Sequence, residues 1–148
     1  MDPIKEALTF DDVTLAPNYS EILPSEVKTD VQLSKHLNIS TPLLTSAMDT
    51  VTESNMAISI GKRGGIGVIH RNLPISDQIK EIRKVKAKKM LVGAAVGASL
   101  NEHIRAQKIL KENIDLIVVD TAHGHTKKVA EIITVSYTHL TLPTISRV

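Results

Sequence analysis

The sequence predicts an α/β protein built on a parallel sheet covered by helices. Three observations carry this. Four short segments, at 42–46, 65–69, 91–96 and 116–119, are apolar without alternation, as strands buried between layers are. Each is followed by a stretch with apolar residues at helical spacing. Glycine, proline and hydroxyl residues fall at the joints between them. The alternation gives four strand–helix units, and two architectures fit it: an open doubly wound sheet, or part of a (β/α)8 barrel. A complete barrel takes about 250 residues. Four units amount to about half of one, leaving two strand edges open and predicting weak stability or self-association.

Taken in order, residues 1–41 are irregular, with Pro3, Pro17 and Pro24 spaced through them. Val13-Thr14-Leu15 and Val31-Gln32-Leu33 have the texture of small strands that pair. Pro42 to Ser46 is the first core strand. Thr50-Val51-Thr52-Glu53 has capping-box spacing, and Met56, Ala57 and Ile60 follow on one helical face. Lys62-Arg63 before Gly64-Gly65 is a helix exit. Gly65 to Ile69 is the second strand and ends at His70. Pro74 marks a helix start, with Ile75, Ile79, Ile82 and Val85 as its apolar stripe. Leu91 to Val96 is the third strand. Ser99-Leu100-Asn101-Glu102 is a second capping box, opening a helix to about Asn113. Leu116 to Val119 is the fourth strand and stops at Asp120. Thr126 caps a last helix with Val129, Ile132 and Ile133 on its apolar face.

The bulk properties narrow the function. A net charge of +2 over 148 residues is no argument for nucleic acid or a membrane surface. The lysines between Lys80 and Lys89 fall on a helix exit, where cations complement the dipole. No apolar run approaches the ~20 residues of a membrane helix, and Met1-Asp2-Pro3 begins no secretory signal. Cysteine is absent, which suits a cytoplasmic location and removes any thiolate nucleophile from within these residues.

Polar residues gather just after strands, at 46–50, 70–72 and 120–125. In a parallel α/β fold these positions share one face, at the carboxyl ends of the strands, where ligands bind. Loop and cap chemistry explains any one of them equally well; three on one rim point to a site. Gly64-Gly65-Ile66-Gly67 is no dinucleotide loop, because its glycines leave a helix and enter a strand, the reverse of the phosphate-binding order. His123-Gly124-His125 lacks the further ligands of a metal site, so no metal is expected. Asp120 is the sharper case. A carboxylate closing an apolar strand needs backbone amides or a ligand hydroxyl to satisfy it, or else it caps the following turn.

Six ordered motifs then resemble the IMP dehydrogenase family: Ala7-Leu8-Thr9-Phe10-Asp11-Asp12-Val13, Leu23-Pro24-Ser25-Glu26-Val27, Ser46-Ala47-Met48-Asp49-Thr50-Val51-Thr52-Glu53, Gly64 to His70, Val92 to Gly97, and Asp120-Thr121-Ala122-His123-Gly124-His125. They cover residues 4–134, and the last has a bacterial flavour. The resemblance implies the N-terminal half of a TIM barrel and an enzyme that oxidises IMP to XMP with NAD. In that family a cysteine attacks the purine C2, hydride passes to the nicotinamide, and water releases the product. By motif, Ser46 and Met48 line the IMP site, Asp120 meets the NAD ribose, and Thr121 and Ala122 lie beside the cofactor. A homotetramer in the cytoplasm is implied as well.

The sequence departs from the family in three ways. Most of the family carries a pair of CBS modules between the second helix and third strand, whereas Lys86 runs through three residues to Met90 here. The family's cysteine loop, potassium-binding segment and arginine-bearing flap come later in the barrel, so no oxidation of IMP is expected of these residues alone. Residues 135–148 look like a translated sequencing adapter, an artefactual tail in which Tyr137 and His139 have no role. The alternatives are a GMP reductase-type barrel, favoured by the unbroken Lys86–Met90 junction but not by the motif wording, and a non-catalytic nucleotide-binding half-barrel.

Overall fold

The computed structural model describes residues 6–138. From residue 6 to residue 30 the chain is irregular except for a 3₁₀ turn at Pro24–Glu26, where the Glu26 carboxylate accepts from the Leu23 amide at 2.9 Å. The expected strand at Val13 to Leu15 does not form. That segment makes no ladder, and Phe10 and Leu15 are almost fully exposed, so nothing packs there to hold an extended pair. The other segment does pair. β1 (Val31–Ser34) and β2 (Leu37–Ile39) make an antiparallel hairpin with an irregularity between Gln32 and Ser34.

Four parallel strands form the main sheet: β3 (Leu44–Thr45), β4 (Ile66–Ile69), β5 (Val92–Val96) and β6 (Leu116–Val119). Their spatial order is their chain order, β3-β4-β5-β6. This separates the two architectures. A doubly wound sheet reverses its strand order at a switch point, whereas a barrel adds each strand beside the last. With right-handed crossovers the helices then fall on one side. They do: α1 (Ser54–Gly61), α2 (Ile75–Ala87), α3 (Leu100–Leu110) and α4 (Lys127–Thr138) each contact the next in line. The described residues are four units of a partial (β/α)8 barrel.

Side chains alternate between two cores, as period 2 requires. Ile69, Val92, Ala94 and Val96 meet Ala57, Ile82, Val85, Ala106, Ile109 and Ile132 from the helices. Ile66, Val68 and Ala95 face the other way, where Leu37 and Ile39 of the hairpin join them. Gly67 lets α1 settle on β4, because a Cβ there would fall 2.3 Å from the Ala57 Cα. Gly64, at φ +85°, reverses the chain after α1, and the Gly65 amide reaches back to the Ile60 carbonyl at 3.1 Å.

Several sequence expectations change at this level. The first core strand is two residues long rather than five. Met56 points to solvent, while Ala57 is buried. Neither capping box forms. α1 starts after Glu53, and the free amide of Ser54 is taken by Glu81 of α2 at 2.8 Å. Glu102 turns to the Gly97 amide at 2.7 Å instead of the Ser99 amide. The Thr126 cap does form, loosely, accepting from the Val129 amide at 3.4 Å. α4 includes residues 135–138 of the expected tail, and residues 139–148 lie outside the described residues.

Candidate functional site

The carboxyl ends of β3 to β6 form one rim, and hydrogen bonds tie its loops together. The β3–α1 loop folds on itself: Thr52 Oγ1 donates to the Ser46 carbonyl at 2.5 Å, and the Val51 and Thr52 amides both donate to the Met48 carbonyl at 3.0 Å. Asn72, just after β4, donates to Asp49 of that loop at 2.9 Å. His70 is buried below, its Nε2 3.6 Å from Glu53 Oε1. On the other side, Arg71 Nε donates to Asp120 Oδ2 at 3.3 Å, bridging the ends of β4 and β6.

A part-buried network, centred on the fully buried Gln78, holds the rim from behind. Gln78 of α2 donates to the Ala95 carbonyl at 2.9 Å and the Ile69 carbonyl at 3.4 Å. Arg105 of α3 donates to Gln78 Oε1 at 2.8 Å, the Leu73 carbonyl at 3.0 Å and Glu102 at 3.0 Å. Glu102 completes the chain at the Gly97 amide. Every member has a partner, which is the condition under which buried polar groups rigidify a core instead of weakening it. Further back, burial works against the charge on Glu81, but bonds from Lys84 and the Ser54 amide outweigh it and hold this carboxyl below the usual carboxylate range.

Between the ends of β5 and β6 and the start of α4 lies an open cleft of about 730 Å³, lined by Arg71, Gly97, Asp120, Thr121, Ala122 and Lys127 among others. That volume suits a small-molecule or cofactor site. Asp120, Thr121 and Ala122, consecutive in the chain, all line it. His123 lines the cleft too, whereas His125 does not. Ser46 and Met48 are exposed on the β3–α1 loop and line no part of this cleft; they sit on the same rim, two strands away. Among the described residues no three His, Cys, Asp or Glu side chains gather into a set able to hold a metal.

Gln78 and Arg105 had no place in the sequence expectations, and Glu102 entered them only as a capping carboxylate. Gln78 left one trace, a polar residue within the apolar face of α2. Arg71 was legible only as a member of the polar cluster at 70–72; its pairing with Asp120 was not, because that partner is 49 residues away.

A monotonic parallel sheet, helices on one side and a ligand-sized cleft at the strand ends define a unit of a (β/α)8 barrel with a candidate ligand site at its rim. Comparison with known proteins makes this specific. The model of the IMP dehydrogenase / GMP reductase domain matches residues 7–146. The chain belongs to this family. An inosine-5'-monophosphate dehydrogenase of Borreliella burgdorferi is 38% identical over 87% of this chain and 44% of its own length. One from Cryptosporidium parvum is 35% identical over 82% of this chain and 41% of its own length. One from Aquifex aeolicus is 55% identical over 56% of this chain and 17% of its own length. The chain therefore spans less than half the length of these relatives. No helix among the described residues is long and apolar enough to cross a membrane.

Proposed function

We propose that these residues form the first four units of an enzyme that oxidises IMP to XMP with NAD, and that they supply part of its nucleotide and cofactor rim. The observation that carries this is Asp120, half-exposed at the tip of β6 inside the cleft, with Thr121 and Ala122 beside it. The cleft fits a dinucleotide chemically. It offers a carboxylate acceptor for hydroxyls, cationic donors for phosphate, and at Gly97 a floor without a side chain. Asp120 would accept from the ribose hydroxyls of NAD, and Thr121 and Ala122 would flank it. Ser46 and Met48 would line the IMP site on the neighbouring loop. Bound NAD supplies the hydride acceptor.

The relatives named inosine-5'-monophosphate dehydrogenase support the dehydrogenase over the reductase. The sequence holds no cysteine, so the thiolate implied by the family chemistry comes from outside these residues. The direct passage from α2, ending at Ala87, to β5, starting at Val92, supports a chain without CBS modules at this point. A tetrameric assembly and a cytoplasmic location belong to the same proposal and rest on the family alone. The domain boundary after Thr134 is likewise our proposal, resting on the wording of the tail. Sequencing the source gene across Thr134 decides it, and recovery of the same tail in genomic DNA would remove it.

The test of the site is NAD binding by the chain and by Asp120→Asn. A carboxylate accepting from hydroxyls contributes a charge-assisted bond, so affinity should fall about tenfold or more. Unchanged affinity would overturn the assignment. Purified chain given IMP and NAD should produce no NADH.

A further inference from the structure

The cleft carries more positive charge than its one carboxylate answers. Arg71, Lys127 and Lys128 line it, and Asp120 is its single acid. Lys127 has a neighbour of its own on α4, Glu131, at 3.9 Å. Arg71 is the cation that the fold itself aims. It directly follows His70 at the end of β4, and its guanidinium lies over the end of β5, where Gly97 leaves room. A Cβ at Gly97 would stand 3.3 Å from Arg71 Nη1, closer than such contacts ordinarily come. A side chain there would press the guanidinium off its path to Asp120.

That path uses only part of the guanidinium. Nε donates to Asp120 Oδ2 at 3.3 Å, and both side chains stay well exposed, at 42% and 49%. Arg83 shows what a structural pair looks like in the same molecule. Its Nε and Nη2 donate to the two oxygens of Glu112 at 2.7 and 2.8 Å, closing the fork. A guanidinium whose task is to join two loops gains most by closing in that way. Arg71 leaves its fork open, and its Nη amines have no hydrogen-bond partner among the described residues.

We propose that Arg71 is a specificity-determining residue of the cofactor site: Nε steadies the Asp120 carboxylate that meets the ribose, and the Nη amines receive the diphosphate of the dinucleotide. The inference rests on the assignment of the ribose to Asp120 above. Covalent chemistry links the two halves. The phosphate of a nucleotide is one methylene from the ribose ring whose hydroxyls Asp120 would accept. A planar fork takes a pair of phosphate oxygens in one plane. A diphosphate also offsets the surplus charge of Arg71, Lys127 and Lys128, which an uncharged ligand would leave in place.

NMR titration of the chain with three probes tests this: NAD, nicotinamide riboside (ribose hydroxyls without phosphate) and inorganic pyrophosphate. Arg71→Gln should weaken NAD and pyrophosphate about tenfold, a change of about 1.4 kcal/mol, and leave the riboside within about twofold. It should also flatten the salt dependence of NAD binding. Asp120→Asn should weaken NAD and riboside, with no loss for pyrophosphate. If Arg71→Gln weakens NAD and riboside equally, Arg71 acts only through Asp120, and the diphosphate role is overturned while the ribose assignment stands. If it tightens NAD, Arg71 is a competitor for Asp120 and the proposal is overturned in the same way. If Asp120→Asn leaves the riboside unchanged while pyrophosphate keeps its dependence on Arg71, the ribose assignment falls and the anion role stands. If no probe binds the wild-type chain, both are overturned.

Discussion

The seat of α1 on β4 allows one substitution to be worked through from distances. At Gly67 an added Cβ would stand 2.3 Å from the Ala57 Cα and 2.4 Å from the Ala57 Cβ. Carbon atoms rest about 3.5–4.0 Å apart, so Gly67→Ala forces a separation of roughly 1 Å or more. Neither obstructing atom lies on a side chain that can rotate away, and Ala57 is fully buried. Helix α1 must retreat as a body, opening the layer it shares with Ile69 and Ile82. Against this, losing a glycine restricts the unfolded chain, a gain of about 0.4–1 kcal/mol. Overpacking costs about 1–3 kcal/mol and more where backbone has to shift, so the clash wins. We expect a net loss of about 3 kcal/mol, a large part of the ~5–15 kcal/mol that holds a domain together. Urea unfolding followed by far-UV circular dichroism measures it. Gly93→Ala is the control. Its Cβ would meet the Val68 Cγ2 at 3.2 Å and the Leu116 Cβ at 3.4 Å, contacts relieved by small side-chain adjustments. That variant should stay within about 1 kcal/mol of wild type. Adding Ala57→Gly to Gly67→Ala removes the Cβ but not the Cα from the clash, so rescue should be partial and offset by about 1 kcal/mol of helix propensity. Equal stability of Gly67→Ala and Gly93→Ala would refute the described seating of α1.

Three further outcomes are expected. The Arg83 hydrogen bond holds the Glu112 carboxyl below the usual range, a stabilisation fully present above the unfolded value and lost as pH falls through the folded one; Glu112→Gln should therefore be less stable than wild type at neutral pH and converge with it in acid, and a gap persisting in acid would contradict the assignment. Arg105→Met leaves Gln78 Oε1 and the Leu73 carbonyl without their donor and should cost about 2 kcal/mol, read from the midpoint of urea unfolding; no shift would show that the network contributes nothing to stability. Leu44→Lys places a charge on the outer strand β3, where Leu43 and Leu44 are exposed, and should reduce self-association seen by light scattering; an unchanged particle mass would clear this edge of responsibility.

The strands and helices were legible because burial imposes periods that a sequence displays. Ile66 to Ile69 are buried on both faces, and Ile82 and Val85 close the stripe of α2, as their spacing implied. Strand order was not legible, since register is a relation between segments; it took Gly67 beside Val92 and Gly93 beside Leu116 to decide between sheet and barrel. The capping boxes misled for a related reason. Glu102 and the Ser54 amide both found partners outside the local turn, and a tertiary bond of good geometry overrides a local pattern. In the site, Asp120 stood out because an acid closing an apolar strand calls for an explanation. Arg71 and Arg105 did not, because a surface arginine and a packed one look alike until the chain is folded.

The turn joining α2 to β5 has a meaning for how such barrels change over time. The Lys88 and Lys89 amides close it on the Val85 and Lys86 carbonyls, with Lys89 left-handed at φ 57°. It enters β5 at the amino end, so it lies at the opposite end of the barrel from the cleft. The 13 residues of α2 stand between, a rod of about 20 Å. Additional sequence grafted into this turn would hang beneath the barrel without crowding the cleft. Its direct mechanical lines to the rim would be β5, which runs from the turn to Gly97, and α2, whose first turn carries Gln78 and its grip on the Ile69 and Ala95 carbonyls. A lineage can therefore acquire or discard material there without redesigning the chemistry at the other end, and α2 and β5 are where any influence of that material on the site would have to be sought.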